Sequence, residues 1–298
     1  MRIARTGRLV PTAARGHVTG RHRHVINLRL SDTDGAYLVS LVTRRADWTE
    51  LALELVDDGI APEWSTLVAV DDGTAATITD GHVDLGSRRV ALPARSAGTS
   101  VAATPPGPRP IESWSPEDVA ALRRALLPFA ETGFTGLVAG TGAGDGSSGD
   151  ADPFRRRART RLLEAARTGS RVPIDLSGMV GLGAGFTPAG DDFVSGAILA
   201  ELVLPGPVAA GTVPRVDRDS IRRSLSRTTP GGASLLRVSL AGWPPAYQVA
   251  IVDDLRRGDL TGAVDRARRH GHSSGLDALA GFVWATDPYR FDRQRGRV

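Results

Sequence analysis

Gly181-Leu-Gly-Ala-Gly-Phe-Thr-Pro-Ala-Gly-Asp-Asp-Phe-Val-Ser-Gly196 reads as a glycine-rich loop running into a helix. Gly181, Gly183 and Gly185 alternate ahead of Thr187, which suits an N-cap, and Pro188, which suits the first helical position. Glycines before a helix start let the backbone approach a ligand, and the free N–H groups there attract anions. Gly190 then precedes two adjacent acids, Asp191 and Asp192, in the first turn. There they complement the helix dipole, or they serve a site by holding Mg²⁺, accepting from an amide donor, or acting as a general base. The loop is neither a Walker A nor a Rossmann fingerprint, because no strand visibly leads into it and no lysine follows. The apolar run from Phe193 to Leu204, broken by Ser195, Gly196 and Glu201, is too short for a bilayer and reads as a buried helix.

A second stretch, Gly271-His-Ser-Ser-Gly-Leu-Asp-Ala-Leu-Ala-Gly281, repeats this design. Gly190-x-Asp192-x-x-x-Gly196 and Gly275-x-Asp277-x-x-x-Gly281 share one pattern, with a small residue four positions after each aspartate that permits close helix packing. Ser274 and Asp277 have the spacing of a capping pair. His272, next to Ser273, caps the preceding helix or is the titratable group of a site. A third segment, Arg227-Thr-Thr-Pro-Gly-Gly232, brings the hydroxyls of Thr228 and Thr229, either as an oxyanion cradle or as an ordinary turn.

Around these motifs the pattern is helical. Ser115-Pro-Glu-Asp118 reads as a capped start with Val119, Leu122 and Leu126 on one face. A helix from Asp152-Pro153 has Phe154, Ala158 and Leu162 inward and arginines elsewhere, mostly as solvated surface. Further helices are expected at 193–204, 216–227, 234–241, 245–256, 259–269 and 276–285, and residues 141–150 read as a mobile loop.

Residues 1–110 read differently. Ile26, Leu28 and Leu30 alternate with polar residues, and turn-forming Ser31–Gly35 leads into the apolar run 36–42, which makes a hairpin. Strands are also expected over 65–70, continuing through Thr77-Ile78, and at 82–85 and 89–92, with one helix at 47–57. The class is therefore α+β: a β-rich barrel- or sandwich-like domain over 1–110, then a helical domain over 111–298 carrying the glycine-rich motifs.

Composition narrows the chemistry. The 298 residues include no cysteine, and every one of the 37 basic residues is arginine. Thiolate zinc sites, cysteine nucleophiles, Schiff bases and the P-loop lysine are thereby excluded. Net charge is only +4 and aromatics are 5%, not interleaved with the arginines, which favours small anionic substrates over nucleic acid. The basic N-terminus lacks a signal-length apolar run, so a cytoplasmic location without membrane attachment is expected.

At these three motifs the chain resembles the AllH-type family, associated with oxamate carbamoyltransferase in anaerobic allantoin breakdown. That family's pattern is close to G-x-G-x-G-L-T-P-S-G-D-D-x-L-x-G, R-T-T-x-x-S-x-x-L-L and G-H-T-S-G-x-D-x-L-x-G. Here Phe186 stands for leucine, Ala189 and Gly232 for serines, and Ser273 for threonine. The resemblance implies a carbamoyl phosphate-linked reaction with partner subunits. On that footing Gly181, Gly183, Gly185, Thr187, Pro188 and Gly190, with Thr228, Thr229, Ser273, Ser274 and Gly275, would hold a phosphate or carboxylate. Asp191, Asp192 or Asp277 would orient or deprotonate an attacking nitrogen, and His272 would be the acid. No cofactor is assigned, and Mg²⁺ stays open. Two other readings stand beside it: a non-catalytic ligand-binding or assembly subunit, and a stand-alone cyclising or hydrolytic enzyme on another small amide.

Overall fold

A computed structural model describes residues 2–43, 48–56, 67, 69–79, 81–92, 108–139, 152–166, 173–205, 213 and 215–286. The chain forms two compact units, Met1–Pro106 and Gly107–Val298.

The first unit is an eight-stranded, nearly closed barrel-like sheet. Its strands are β1 (Arg2–Thr6), β2 (Ala14–His22), β3 (Val25–Asp32), β4 (Gly35–Val42), β5 (Ala52–Val56), β6 (Ala75–Ile78), β7 (His82–Leu85) and β8 (Arg88–Ala91). Their order is β1-β5-β4-β3-β2-β6-β7-β8. The expected hairpin is β3–β4, in register from Val25↔Val42 to Asp32↔Gly35. Its turn is held by the Asp34 amide donating to Asp32 Oδ1 at 2.9 Å. Asn27 breaks the polar-outward alternation: it is buried opposite Ser40, whose hydroxyl donates to Asn27 Oδ1 at 2.7 Å. A buried amide is stable in a sheet when a cross-strand partner satisfies it.

Two expectations fail in this unit. The segment at 47–57 is not a helix, because Ala52–Val56 is β5, parallel to β4 and antiparallel to β1. Its Ala, Leu and Glu residues are good helix formers, but two flanking strands supply ladder bonds and burial, which outweigh weak propensities. The strand expected at 65–70 is also absent where the chain is described. Leu67 is helical, and its carbonyl accepts from the Val70 amide at 3.0 Å. The remainder of that run lies outside the described residues.

The second unit is helical: α1 (Pro116–Leu126), α2 (Gly136–Ala139), α3 (Pro153–Ala166), α4 (Ala189–Val203), α5 (Arg218–Arg223), α6 (Pro230–Leu240), α7 (Ala246–Arg256), α8 (Leu260–Arg268) and α9 (Ser274–Thr286). Segment 141–150 lies outside the described residues. The capping box of α1 forms as read: Asp118 N–H donates to Ser115 Oγ at 3.1 Å and Ser115 N–H to Asp118 Oδ2 at 2.8 Å. In α3 the inward stripe is shifted. Ala158 and Leu162 are buried, but Phe154 is 46% exposed and Arg155 turns inward in its place. The Arg155 guanidinium satisfies carbonyls of the preceding turn, at Glu131 and Gly133, which an aromatic ring could not do.

The core of this unit is the crossing of α4 and α9. A Cβ on Gly196 would fall 1.8 Å from the Ala278 carbonyl oxygen, and one on Gly281 would fall 1.9 Å from the Phe193 carbonyl oxygen. The contacts are reciprocal. Each glycine sits four residues after its aspartate and meets the carbonyl of the residue just after the other aspartate, so the repeated pattern builds an approximate local two-fold. The Phe193 ring then reaches both Phe134 and Trp284, with centroids 6.4 and 5.9 Å away.

Neither glycine can accept a side chain without separating the helices. Gly196→Ala and Gly281→Ala are each expected to lower unfolding stability by about 3 kcal/mol, the upper end of ordinary overpacking. Urea denaturation checks this; an unchanged midpoint for both would mean the helices are not locked at this distance.

Candidate functional site

All three motifs converge. Gly181, Gly183 and Gly185 have φ values of 75°, 115° and 107°, a left-handed region that side chains resist. The loop leans on the third segment: Thr229 Oγ1 donates to the Phe186 carbonyl at 2.6 Å while accepting from Gly232 N–H at 3.0 Å as the cap of α6. Phe186, 59% exposed, lays its ring against Gly231, where a Cβ would come within 2.8 Å of it. The second motif joins through a hydroxyl pair, Thr187 Oγ1 and Ser274 Oγ, 3.0 Å apart.

Thr187 is therefore not the N-cap expected. Pro188 is extended at φ −54° and ψ 141°, so α4 begins at Ala189 and the Thr187 hydroxyl is released toward Ser274. The Ser274–Asp277 capping pair is likewise not formed. Asp277 accepts instead from Phe134 N–H, and its own N–H donates to the Ser273 carbonyl.

The amides divide into two sets. Gly181 N–H donates to Asp191 Oδ1 at 2.8 Å and Gly190 N–H to the Leu182 carbonyl at 2.8 Å, so both are committed inside the protein. Among the described residues, those of Gly183, Ala184, Gly185, Phe186, Thr187 and Ala189 have no acceptor. Ala184, Gly185 and Phe186 are exposed, and so is His272; Thr187, Thr228, Thr229, Ser273 and Ser274 are half-buried.

Beneath this surface lie three aspartates, none more than 1% exposed. Asp191 ties loop to third segment, accepting from Gly181 N–H and from the Thr228 hydroxyl. Burial pushes its carboxyl up to about 6, against the pull of those two donors. A Cβ on Gly232 would lie 2.0 Å from Asp191 Oδ2 and 2.4 Å from Thr228 Oγ1. The glycine at this position thus leaves the space in which acid and hydroxyl meet. Asp192 is pushed well above the usual range by burial and by the charge of Asp277. Hydroxyls of Ser274 and Thr187 beside it draw it partly back, yet Asp192 Oδ2 has no hydrogen-bond partner. Asp277 rises to about 6 through burial, countered by Phe134 N–H, Ser273, Arg155 and His272. Its Oδ2 also lacks a partner.

Several neighbours were not singled out in the sequence. Arg155 is one, hidden in a run of arginines that differ only in tertiary placement. Tyr247 is another: its ring stacks on His270 at 3.5 Å and 10°. Burial, then the charge of Asp192, pushes its phenol well up. Gln248, fully buried, donates to the Tyr247 oxygen at 3.1 Å and to Ser195 Oγ at 2.8 Å, and Ser195 meets Ser239 at 2.7 Å. Polar residues in otherwise apolar helices were the available signal. No group of three or more His, Cys, Asp or Glu able to hold a metal ion occurs among the described residues. Nor is any helix there long and apolar enough to cross a membrane.

Residues 179–286, which contain all three motifs, match the family model described as oxamate carbamoyltransferase subunit AllH. This segment is AllH-like. No curated protein and no solved structure matches the chain. The AllH-like segment begins at the turn before the glycine loop and ends with α9, so it takes in the α4–α9 crossing and the cluster of aspartates.

Buried carboxylates with raised pKa values give stability its pH dependence. Asp191 binds its proton more tightly folded than unfolded, so its contribution is fullest below about pH 4 and is lost as pH rises through about 6. Asp191→Asn is expected to gain on the wild type over that window, by an amount on the order of 3 kcal/mol. Urea titrations from about pH 4 to 7 measure it; parallel stability curves for the two proteins would show that Asp191 ionises equally easily in both states.

Proposed function

We propose that the chain is a carbamoyltransferase-type subunit that holds the phosphate or carboxylate of a small substrate on the loop amides between Gly183 and Ala189. The observation that carries this is the set of unengaged amides at the start of α4, bordered by the Thr187 and Ser274 hydroxyls. Backbone N–H groups at a helix start bind oxyanions without needing a lysine, and this chain has none. The match of residues 179–286 to a carbamoyltransferase-subunit family supports the reaction class and the partner subunits in this reading.

In this reading an amide nitrogen of an oxamate-like acceptor attacks the carbamoyl carbon of carbamoyl phosphate. The carbon–oxygen bond to phosphate breaks, phosphate departs, and the nitrogen gives up one proton. Donors aimed at the developing oxyanion supply the main stabilisation. The proton passes through Thr187 or Ser274 to the carboxyl pair of Asp192 and Asp277, whose basicity burial and mutual charge raise above that of ordinary carboxylates. His272 and Ser273 line the mouth. Asp191, Gly181 and Thr228 shape the loop, and Thr229, Pro188, Gly190 and Gly275 set the helix starts that carry it.

One observation favours a second reading, a subunit that binds ligand while a partner performs the chemistry: the three carboxylates are at most 1% exposed. Two measurements separate the readings. Isothermal titration of carbamoyl phosphate and oxamate into the full chain, alone and with its partner subunits, is expected to show binding that weakens at least about tenfold in Gly185→Val. Turnover by the assembled complex is expected to vanish in Asp192→Asn while circular dichroism is unchanged. Binding with undiminished turnover in Asp192→Asn would establish the second reading, and absence of binding to either compound in every assembly would remove both.

A further inference from the structure

Asp277 is gripped by a turn that belongs to none of the three motifs. Phe134 N–H donates to Asp277 Oδ1 at 2.5 Å, while Oδ2 has no hydrogen-bond partner. The Gly133 carbonyl, which belongs to the same peptide unit as that N–H, accepts from Arg155 Nε at 2.8 Å. In a planar trans peptide the C=O and N–H point in opposite directions, so Arg155 and Asp277 lie on opposite sides of one peptide group. A cation on the carbonyl polarises the group and strengthens its N–H as a donor, an effect that a low-dielectric interior enlarges. All three participants are buried: Asp277, Phe134 and Arg155 are 0%, 2% and 8% exposed.

The turn is shaped for this contact. Gly133 has a φ of 48°, and a Cβ there would fall 2.1 Å from Asp277 Oδ1. Arg155 also donates to the Glu131 carbonyl, so one planar guanidinium holds the turn at two points. Its own acidic neighbours do not cancel its charge. Glu131 Oε2 at 3.3 Å and Asp152 Oδ2 at 3.7 Å belong to side chains that are 80% and 42% exposed, and water screens them.

We propose that Arg155 is a positioning residue for Asp277, acting through the Gly133–Phe134 peptide: it seats that N–H on Oδ1 and so leaves Oδ2 as the oxygen that takes up and releases the proton. The proposal rests on the preceding reading that Asp277 receives a proton in this site. It brings to the site the turn at 131–134 and the start of α3, both outside residues 179–286. The other charged or titratable groups acting on Asp277 are His272 ahead of α9, Asp192 on α4 and the Tyr247 phenol on α7. Arg155 and the Phe134 amide both favour the ionised carboxylate, so losing Arg155 makes Asp277 hold its proton to higher pH.

The experiment is an NMR titration of the full chain from about pH 4 to 8, with isotope-labelled aspartate carboxyls, backbone nitrogens and arginine nitrogens. The Asp277 signal, identified by its loss in Asp277→Asn, is expected to titrate at about 6. Phe134 N–H and Arg155 Nε–H are expected to shift at that same midpoint, and both steps vanish in Asp277→Asn. Arg155→Met is expected to move the Asp277 midpoint up by about one pH unit, and Arg155→Lys, which keeps the charge without the fork, by less. In the assembled complex the rising limb of kcat against pH moves the same way, with KM for oxamate within about twofold of wild type.

A merely structural brace would lower the melting temperature of both variants and leave midpoint and limb in place; that result overturns the proposal. Absence of a step in the wild-type Phe134 and Arg155 signals overturns it without any variant and leaves the oxyanion reading intact. Loss of the folded state in both Arg155 variants overturns it too, since the residue then supports the whole unit and not one carboxyl. A displaced midpoint with an unmoved kcat limb overturns the proposal together with the proton route assigned to Asp277.

Discussion

Two backbone carbonyls pressed against two glycines hold this helical unit together. Because Gly196 meets Ala278 and Gly281 meets Phe193, helices α4 and α9 approach at a distance no other residue pair would allow. Ridge-into-groove packing with ordinary side chains sets axes farther apart. The close approach decides everything at the N-terminal ends of these helices. It brings Thr187 to Ser274 and puts Asp192 under the influence of Asp277. Gly190 and Gly275 carry the same constraint to the helix starts, where a Cβ would strike the carbonyls of Met179 and Ala267 at 2.1 and 2.2 Å.

The consequence is an acid cluster removed from water. Burying an unpaired carboxylate is costly enough that the group holds its proton instead, and a second acid nearby raises the cost. The three aspartates divide this burden unequally. Asp191 has two donors, whereas Asp277, held by the Phe134 amide, and Asp192, beside two hydroxyls, each keep an Oδ2 without a partner. A fold seeking stability alone would place apolar residues here, since replacing buried charge by well-packed side chains is often neutral or favourable. Buried polar groups with open valences and raised pKa values mark this cluster as a candidate site.

Much of this was legible before any coordinates. The capping box at Ser115 and Asp118, the β3–β4 hairpin and the first-turn position of Asp191 and Asp192 are local effects, set within a few residues, and they appear as read. The repeated G-x-D-x-x-x-G spacing also pointed to two helices, each with a small residue that permits close packing, and the structure sets those two residues against each other's helix. Local signals misled where long-range pairing intervened. Thr187 has every mark of a cap and makes none, since the extended Pro188 turns its hydroxyl toward a residue 87 positions away. Leu53 and Leu55 sit in a stretch of helix formers and yet lie in a strand, because β1 and β4 were waiting on either side.

Residue types and short spacings by themselves determined the chemistry that is possible: oxygen and nitrogen groups only, with backbone amides in place of lysine for an anion, and glycines where the chain turns left-handed. Which of those groups meet was decided only in three dimensions. That Arg155 rather than any other arginine of its run turns inward, and that Gln248 ties Tyr247 to Ser195, depends on how separate helices pack. Spacing along a chain specifies a face of one helix. The identity of the face opposite is set by the burial of the whole core, a property no short segment contains.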